Sequence, residues 1–117
     1  MSLGEPILHL PLPARYADAL IDYAREERLQ LNYYLEERLY ARDDPALRPY
    51  TDLYARQTGA TFHFVPDLER FRGREPTKAL IVADPPVRDA LYQEWQARWG
   101  AEVTVVRTNP EYLEFLH

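Results

Sequence analysis

The sequence has no cysteine and only four glycines, and these absences exclude several kinds of chemistry. Without cysteine there is no disulfide, no thiolate nucleophile and no cysteine-ligated zinc. The glycines stand singly, so no glycine-rich phosphate-binding loop is present. No G-x-S-x-G elbow occurs either. Protein classes whose chemistry depends on these residues or motifs are therefore excluded by the sequence alone.

Basic residues and long apolar runs are also scarce. Lys78 is the only lysine, and the formal net charge of −5 argues against non-specific binding to nucleic acid. No apolar segment is long enough to cross a bilayer, so no membrane association is expected. Met1–Gly4 has neither the charged nor the hydrophobic part of a signal peptide, and is predicted to be a cloning leader. A cytoplasmic location is the expectation.

The length and the periodicity predict one domain of the α+β class. With 117 residues, 46% hydrophobic and 28% charged, the chain fits a single soluble domain. Helical stripes with capping signals predict three helices, at about 13–28, 45–58 and 85–99. Short apolar or alternating segments predict strands at 7–10, 29–35, 39–42, 61–65, 78–83, 103–107 and 112–116. We therefore expect a single mixed or antiparallel sheet with about three helices packed on one face and the opposite face open.

Acidic residues and histidines do not form a recognisable reaction centre in the sequence. The three histidines are scattered, and a metal site would need three or four convergent ligands. Asp43-Asp44 and Asp84 directly precede prolines, which is typical of helix starts rather than of magnesium motifs. Lys78 at a strand start is interpreted as an exposed strand end. No catalytic residue and no metal ligand are predicted in this chain, and no cofactor is expected to bind it.

Aromatic residues are abundant, and two tyrosines in the first predicted hairpin suggest a recognition surface. If Glu36-Glu37-Arg38 is a three-residue turn, Tyr34 pairs with Tyr40 and both project from the open face. A two-residue turn would instead place Leu39 opposite Tyr34, mixing the faces, and we favour the longer turn. Tyrosines beside polar side chains suit either ligand binding or a domain contact. The residues alone leave those two alternatives open.

Three segments in this order resemble the cap domain of Cof-type phosphatases of the haloacid dehalogenase superfamily. Residues 29–40 (LQLNYYLEERLY) resemble the first hairpin of that cap, and residues 78–85 (KALIVADP) resemble its K-x-x-(apolar)-x-x-D-P strand and helix start. Residues 105–115 (VVRTNPEYLEF) resemble its closing hairpin, although Thr108 stands where serine is common. The turn at Glu36-Glu37 also departs from the Asp/Asn-Gly type usual there.

The resemblance implies that residues 5–117 are a cap whose Rossmann-like catalytic core lies outside this chain. In the family the core carries the D-x-D nucleophile pair and the acidic magnesium-binding motif, so magnesium is expected in the core and not in the cap. The expected partners are that core and a small phosphorylated metabolite, and a dimer of the isolated cap through its open face is also predicted. The predicted substrate-facing residues are Asn32, Tyr34, Tyr40, Arg42 and Arg107.

Two alternatives from other classes remain at the level of the sequence. A ferredoxin-like domain that binds a small molecule also packs helices on one face of a sheet, but it needs only four strands and two helices. A protein-interaction module could use the tyrosine surface for a macromolecular partner. Continuation of the reading frame beyond His117 into a lysine-glycine segment and an acidic motif would distinguish the cap from both.

Overall fold

A computed structural model describes residues 10–117, which form one six-stranded sheet and three α-helices. The strand order is β3-β2-β1-β4-β6-β5, and only β2 and β3 run parallel. The strands are β1 Gln30–Leu35, β2 Arg38–Arg42, β3 Phe62–Val65, β4 Lys78–Val82, β5 Thr104–Arg107 and β6 Tyr112–Leu116. The predicted α+β class with a single mixed sheet is confirmed, and the strand predicted at 7–10 lies outside the described residues except for Leu10.

The helices are α1 Ala14–Glu27, α2 Arg48–Thr58 and α3 Pro85–Trp99, close to their predicted bounds. Helix α1 begins directly after Pro13, which has no backbone N–H to donate within a helix. The helix is closed by Arg28, which adopts the left-handed conformation with a φ of 56°. Helix α2 ends at Gly59 with φ 75°, a conformation that glycine adopts without strain. A short 3₁₀ turn, Pro45–Leu47, precedes α2, and Asp44 caps it by accepting a hydrogen bond from the Ala46 amide at 3.0 Å.

The turn between β1 and β2 has two residues, so the predicted three-residue turn is wrong. Tyr33 pairs with Tyr40, and Tyr34 pairs with Leu39. Glu36 and Glu37 have φ values of 53° and 65°, and positive φ at both central positions marks a type I′ turn. Since side chains alternate along a strand, this register places Tyr34 and Tyr40 on opposite faces of the sheet.

The hydrophobic core has two parts, one on each face of the sheet. We call the face that carries Tyr33 and Ile81 the inner face; helices α1 and α3 cover it. We call the face that carries Tyr34 and Leu80 the outer face; Tyr54 of α2 packs against it in a second cluster. The prediction that all helices share one face is therefore correct for α1 and α3 and wrong for α2. Parallel neighbours such as β2 and β3 need a crossover, and α2 supplies it over the outer face.

The segment between β3 and β4 is anchored to the inner face and to α1. Its 3₁₀ turn Glu69–Phe71 places the buried Phe71 ring 5.1 Å from the ring of Tyr33. Arg72 donates a hydrogen bond to Asp22 at 2.6 Å, and this bond lowers the pKa of the Asp22 carboxyl. Ring stacking and ion pairing together explain how a segment without periodicity is held in place.

Replacing Glu37 with glycine is expected to raise the free energy of unfolding by about 1 kcal/mol, because a non-glycine residue at positive φ is strained. Glu36 stays unchanged because it pairs with Arg74. Urea unfolding followed by circular dichroism measures the change. The matched control, Glu26→Gly on the exposed side of α1, should lower stability by up to about 1 kcal/mol. A loss of stability in both variants would contradict the two-residue turn.

Candidate functional site

The predicted substrate-facing residues are divided between the two faces of the sheet. Asn32 and Tyr34 of β1 lie on the outer face, opposite Leu80 and Lys78 of β4. The other three predicted residues, Tyr40, Arg42 and Arg107, project from the inner face. The structure therefore does not bring the five residues together, and the cause is the two-residue hairpin turn described above.

The two outer-face residues differ in how far a ligand could reach them. Asn32 is fully buried and accepts a hydrogen bond from Gln30 Nε2 at 2.9 Å. Tyr34 is half-buried, and its hydroxyl contacts the hydroxyl of Tyr54 on α2. Burial, followed by that hydrogen bond, raises the pKa of Tyr34 well above its ordinary value, so the phenol stays neutral. Tyr34 is thus the accessible member of the pair.

The three inner-face residues are engaged in contacts within the domain. The Tyr40 ring lies 4.6 Å from the ring of Phe71 in the anchored segment. Arg42 forms an ion pair with Asp44 just before α2. The guanidinium of Arg107 lies 4.2 Å from the ring centroid of Tyr92 on α3. Each of these contacts is sufficient to explain the residue as part of the packing.

An ion pair between Lys78 and Glu114 is the main polar feature of the outer face. Their strands β4 and β6 are neighbours, and Lys78 Nζ lies 2.9 Å from Glu114 Oε1. The two side chains are 29% and 13% exposed, so the pair is mostly but not completely screened from water. Lys78 Nζ also lies 4.9 Å from the ring centroid of Tyr34. A cation, a carboxylate and a phenol thus meet at one place.

Helix α2 leaves part of the outer face uncovered beside this ion pair. The exposed Thr104 pairs with Leu116, and the half-buried Val106 pairs with Glu114. We call the surface made by Tyr34, Lys78, Thr104, Val106, Glu114 and Leu116 the Lys78 surface. It combines apolar area with a few polar groups, which is the usual composition of a recognition surface.

The Lys78 surface lies at the sheet end where the described chain enters and leaves. The Leu12 amide donates to the Pro76 carbonyl at 2.7 Å, two residues before Lys78. Strand β6 runs toward the same end and reaches it at Leu116. Both ends of the described chain therefore lie at the end of the sheet that carries the Lys78 surface.

Sequence analysis missed the ion pair although both of its residues occupy motif positions. Lys78 is the lysine of the K-x-x strand motif, and Glu114 is the glutamate of the closing hairpin motif. From the sequence, Lys78 is interpreted as an exposed strand end, because one sequence does not show which residue lies beside it on the neighbouring strand. The signal available was that the strand of each motif has one charged residue, Lys78 or Glu114, and that the two charges are opposite.

Residues 10–117 contain no group of three or more His, Asp or Glu side chains that could hold a metal ion. Within the same range, no helix has the length and hydropathy needed to cross a membrane.

Solved structures share this six-stranded α+β architecture. A protein of Thermotoga maritima is 24% identical with a TM-score of 0.80, and the match covers 99% of this chain and 43% of that one. A HAD/COF-like hydrolase of Plasmodium vivax is 20% identical with a TM-score of 0.77, covering 97% and 40%. A sugar phosphatase of HAD subclass IIB is 8% identical with a TM-score of 0.68, covering 91% and 38%. The fold is therefore that of a domain found within hydrolases of this kind.

The chain belongs to the haloacid dehalogenase-like hydrolase family, whose profile matches residues 2–117. The resemblance to Cof-type proteins found in the three sequence motifs is thereby confirmed. No curated protein matches the chain by sequence. The chain spans between 38% and 43% of the length of the three structures above.

Proposed function

We propose that this chain is the cap domain of a magnesium-dependent phosphatase that acts on a small phosphorylated metabolite. The observation that carries the proposal is the coverage: 97% of this chain matches only 40% of a HAD/COF-like hydrolase. A compact domain that corresponds to two fifths of an enzyme leaves the remaining three fifths for another domain. On this proposal the catalytic core lies in that remainder, and residues 5–117 form the cap.

In this arrangement the cap selects and encloses the substrate, and the core carries out phosphoryl transfer. Magnesium would be held by the core and would neutralise charge on the transferred phosphoryl group. The cap contributes by excluding water and by contacting the leaving group, which is the alcohol part of the phosphate ester. Cap residues therefore affect which ester is accepted more than how the phosphorus–oxygen bond breaks.

The Lys78 surface is the part of the cap best placed to face the core and the substrate. It lies at the sheet end shared by Leu12 and Leu116, and it offers both a donor, Lys78, and an acceptor, Glu114. Tyr34 is the one predicted substrate residue that belongs to it. A substrate carrying hydroxyl groups could use donor and acceptor together, and Val106 and Leu116 provide apolar contact.

The described architecture is compatible with one of the two alternative functions and not with the other. A ferredoxin-like domain has four strands and two helices, whereas residues 10–117 form six strands and three helices, so that alternative is set aside. The interaction-module alternative uses the same Lys78 surface with a protein in place of the metabolite. The dimer of the isolated chain stays a prediction, and size-exclusion chromatography with light scattering measures it. A cytoplasmic location also stays a prediction.

The 117-residue chain alone is expected to release no phosphate from p-nitrophenyl phosphate in the presence of Mg²⁺. The longer gene product that includes this chain should hydrolyse the ester and lose activity with EDTA. A colorimetric assay at matched protein concentration compares the two. Magnesium-dependent turnover by the short chain would overturn the cap proposal, and so would a reading frame whose product contains no further domain.

A further inference from the structure

A cleft lies at the end of the sheet opposite to the Lys78 surface. It has a volume of about 60 Å³ and lies between β1, β4, α2 and the start of α3. Its walls include the apolar Leu29, Val82 and Val87. Its polar groups come from Gln30, Tyr50 and Asp84. The volume exceeds what one water molecule requires, so the cleft has room for a small ligand group.

Gln30 lines this cleft and has a buried acceptor atom without a partner among residues 10–117. Its side chain projects from the same face as Val82, its partner in the sheet, and the residue is only 1% exposed. The Nε2 group donates to Asn32 Oδ1 at 2.9 Å and to the Leu31 carbonyl at 3.2 Å. The Oε1 atom is buried without any hydrogen-bond partner among residues 10–117. An unpaired buried carbonyl is costly, so a donor at this position would be stabilising.

Asp84 supplies a second acceptor because it does not cap its own helix. A capping carboxylate binds the amide of the second or third helical residue, but Pro86 has no amide hydrogen and the structure shows no side-chain capping bond. Instead Asp84 Oδ1 accepts a hydrogen bond from the Tyr50 hydroxyl at 3.3 Å. Asp84 stands at the start of α3, as predicted, but its carboxylate makes no capping bond and keeps free lone pairs beside the cleft.

We infer that this cleft binds a small ligand with a primary ammonium group and a short apolar portion. An ammonium group carries three N–H donors, and three of the residues that line the cleft, Gln30, Asp84 and Tyr50, have acceptor oxygens. The carboxylate of Asp84 balances the charge of the ligand, and Val82 and Val87 contact its carbon atoms. This site is separate from the Lys78 surface and does not depend on the proposed phosphatase function.

The charges around the cleft favour a cation over an anion. An anion would face the unpaired Gln30 carbonyl and the Asp84 carboxylate, and both would repel it. Arg28 also borders the cleft, but its side chain is exposed. Its charge acts on Asp44: the hydrogen bond from the Ala46 amide lowers the pKa of that carboxyl most, followed by Arg42 and then by Arg28. Arg28 and Asp84 are both exposed and lie at the rim with opposite charges, whereas Gln30 is the buried polar residue of the cleft.

Titration with ethylammonium chloride, followed by ¹H–¹⁵N NMR of the 117-residue chain at constant ionic strength, tests the inference. Saturable shifts are expected for the Gln30 side-chain amide and the Val87 backbone amide. Gln30→Met keeps the length of the side chain but removes the acceptor, and Asp84→Asn removes the charge. Each substitution should raise the Kd about tenfold, since a hydrogen bond to a charged group is lost.

Sodium acetate and Asp89→Asn are the matched controls. Acetate has the size of ethylammonium and the opposite charge, so it should leave both signals unshifted. Asp89 lies on the same helix as Val87, outside the cleft, and its side chain is exposed; Asp89→Asn should therefore keep the Kd of the unmodified chain. Linear, non-saturating shifts, equal saturation by acetate, or an unchanged Kd in both Gln30→Met and Asp84→Asn would overturn the inference.

Discussion

Replacing Leu80 with alanine will lower the free energy of unfolding by about 2–5 kcal/mol, the cost of a large cavity in a packed core. Leu80 is 1% exposed and lies on the outer face, in the cluster with Tyr54 of α2 and Tyr112 of β6. The loss arises only if α2 covers that face, because a leucine on an open sheet face would already contact water. Urea unfolding of the 117-residue chain, monitored by circular dichroism, measures the difference.

Val106→Ala is the matched control for that prediction. Val106 lies on the same outer face but on β5, beyond the area that α2 covers, and it is half-buried. Its truncation should cost less than about 1 kcal/mol, since little buried area is lost. Equal small losses at Leu80 and Val106 would mean that α2 does not pack on the sheet in solution, and the two-sided core described here would be wrong.

The bounds of the elements followed from the sequence because each has a strong local cause. Helix α2 has Pro49 in its first turn and is followed by Gly59, and the stripe of α1 (Ala17, Leu20, Ile21 and Ala24) is buried as its spacing predicts. Strands β4 and β6 are short apolar segments between clear turn signals. Local propensity and periodicity act within a few residues, and such features are recoverable from one chain.

The placement of α2 and the hairpin register depended on contacts between distant segments, which a single sequence does not specify. The three-residue turn was favoured because it kept the apolar residues of both strands on one face. The real turn places Leu39 on the outer face, and this is stable because α2 covers it there. A signal for a two-sided core was present: residues 79–82 are apolar without alternation, as in a strand buried on both faces.

The same long-range dependence explains how much of the candidate site could be foreseen. Tyr34 was identified by its position in a half-polar strand, and it lies on the Lys78 surface. Tyr40 is directly affected by the register, since a shift of one residue moves its ring to the inner face. Lys78 and Glu114 are 36 residues apart in sequence, and their pairing depends on β4 and β6 being neighbours.

If the proposed cap function is correct, Lys78→Met in the complete protein is expected to lower kcat/KM about tenfold for the preferred phosphate ester. Methionine keeps the apolar stem but removes the donor, and one charge-assisted hydrogen bond is worth about 1.5–3 kcal/mol. For p-nitrophenyl phosphate, whose leaving group offers no hydroxyl to the cap, kcat/KM should stay within about twofold. Steady-state kinetics over a panel of phosphate esters measures both values.

Arg98→Met provides the control for that experiment, because Arg98 is exposed on α3, where it contacts Glu94 and the ring of Trp95 and does not belong to the Lys78 surface. The Arg98→Met variant should have an unchanged kcat/KM for every ester in the panel. Equal losses on the preferred ester and on p-nitrophenyl phosphate in Lys78→Met would indicate that the Lys78–Glu114 pair supports the fold of the cap without contacting the leaving group. A loss confined to the preferred ester is the result that selection by the Lys78 surface requires, because only an interaction with the variable part of the substrate distinguishes one ester from another.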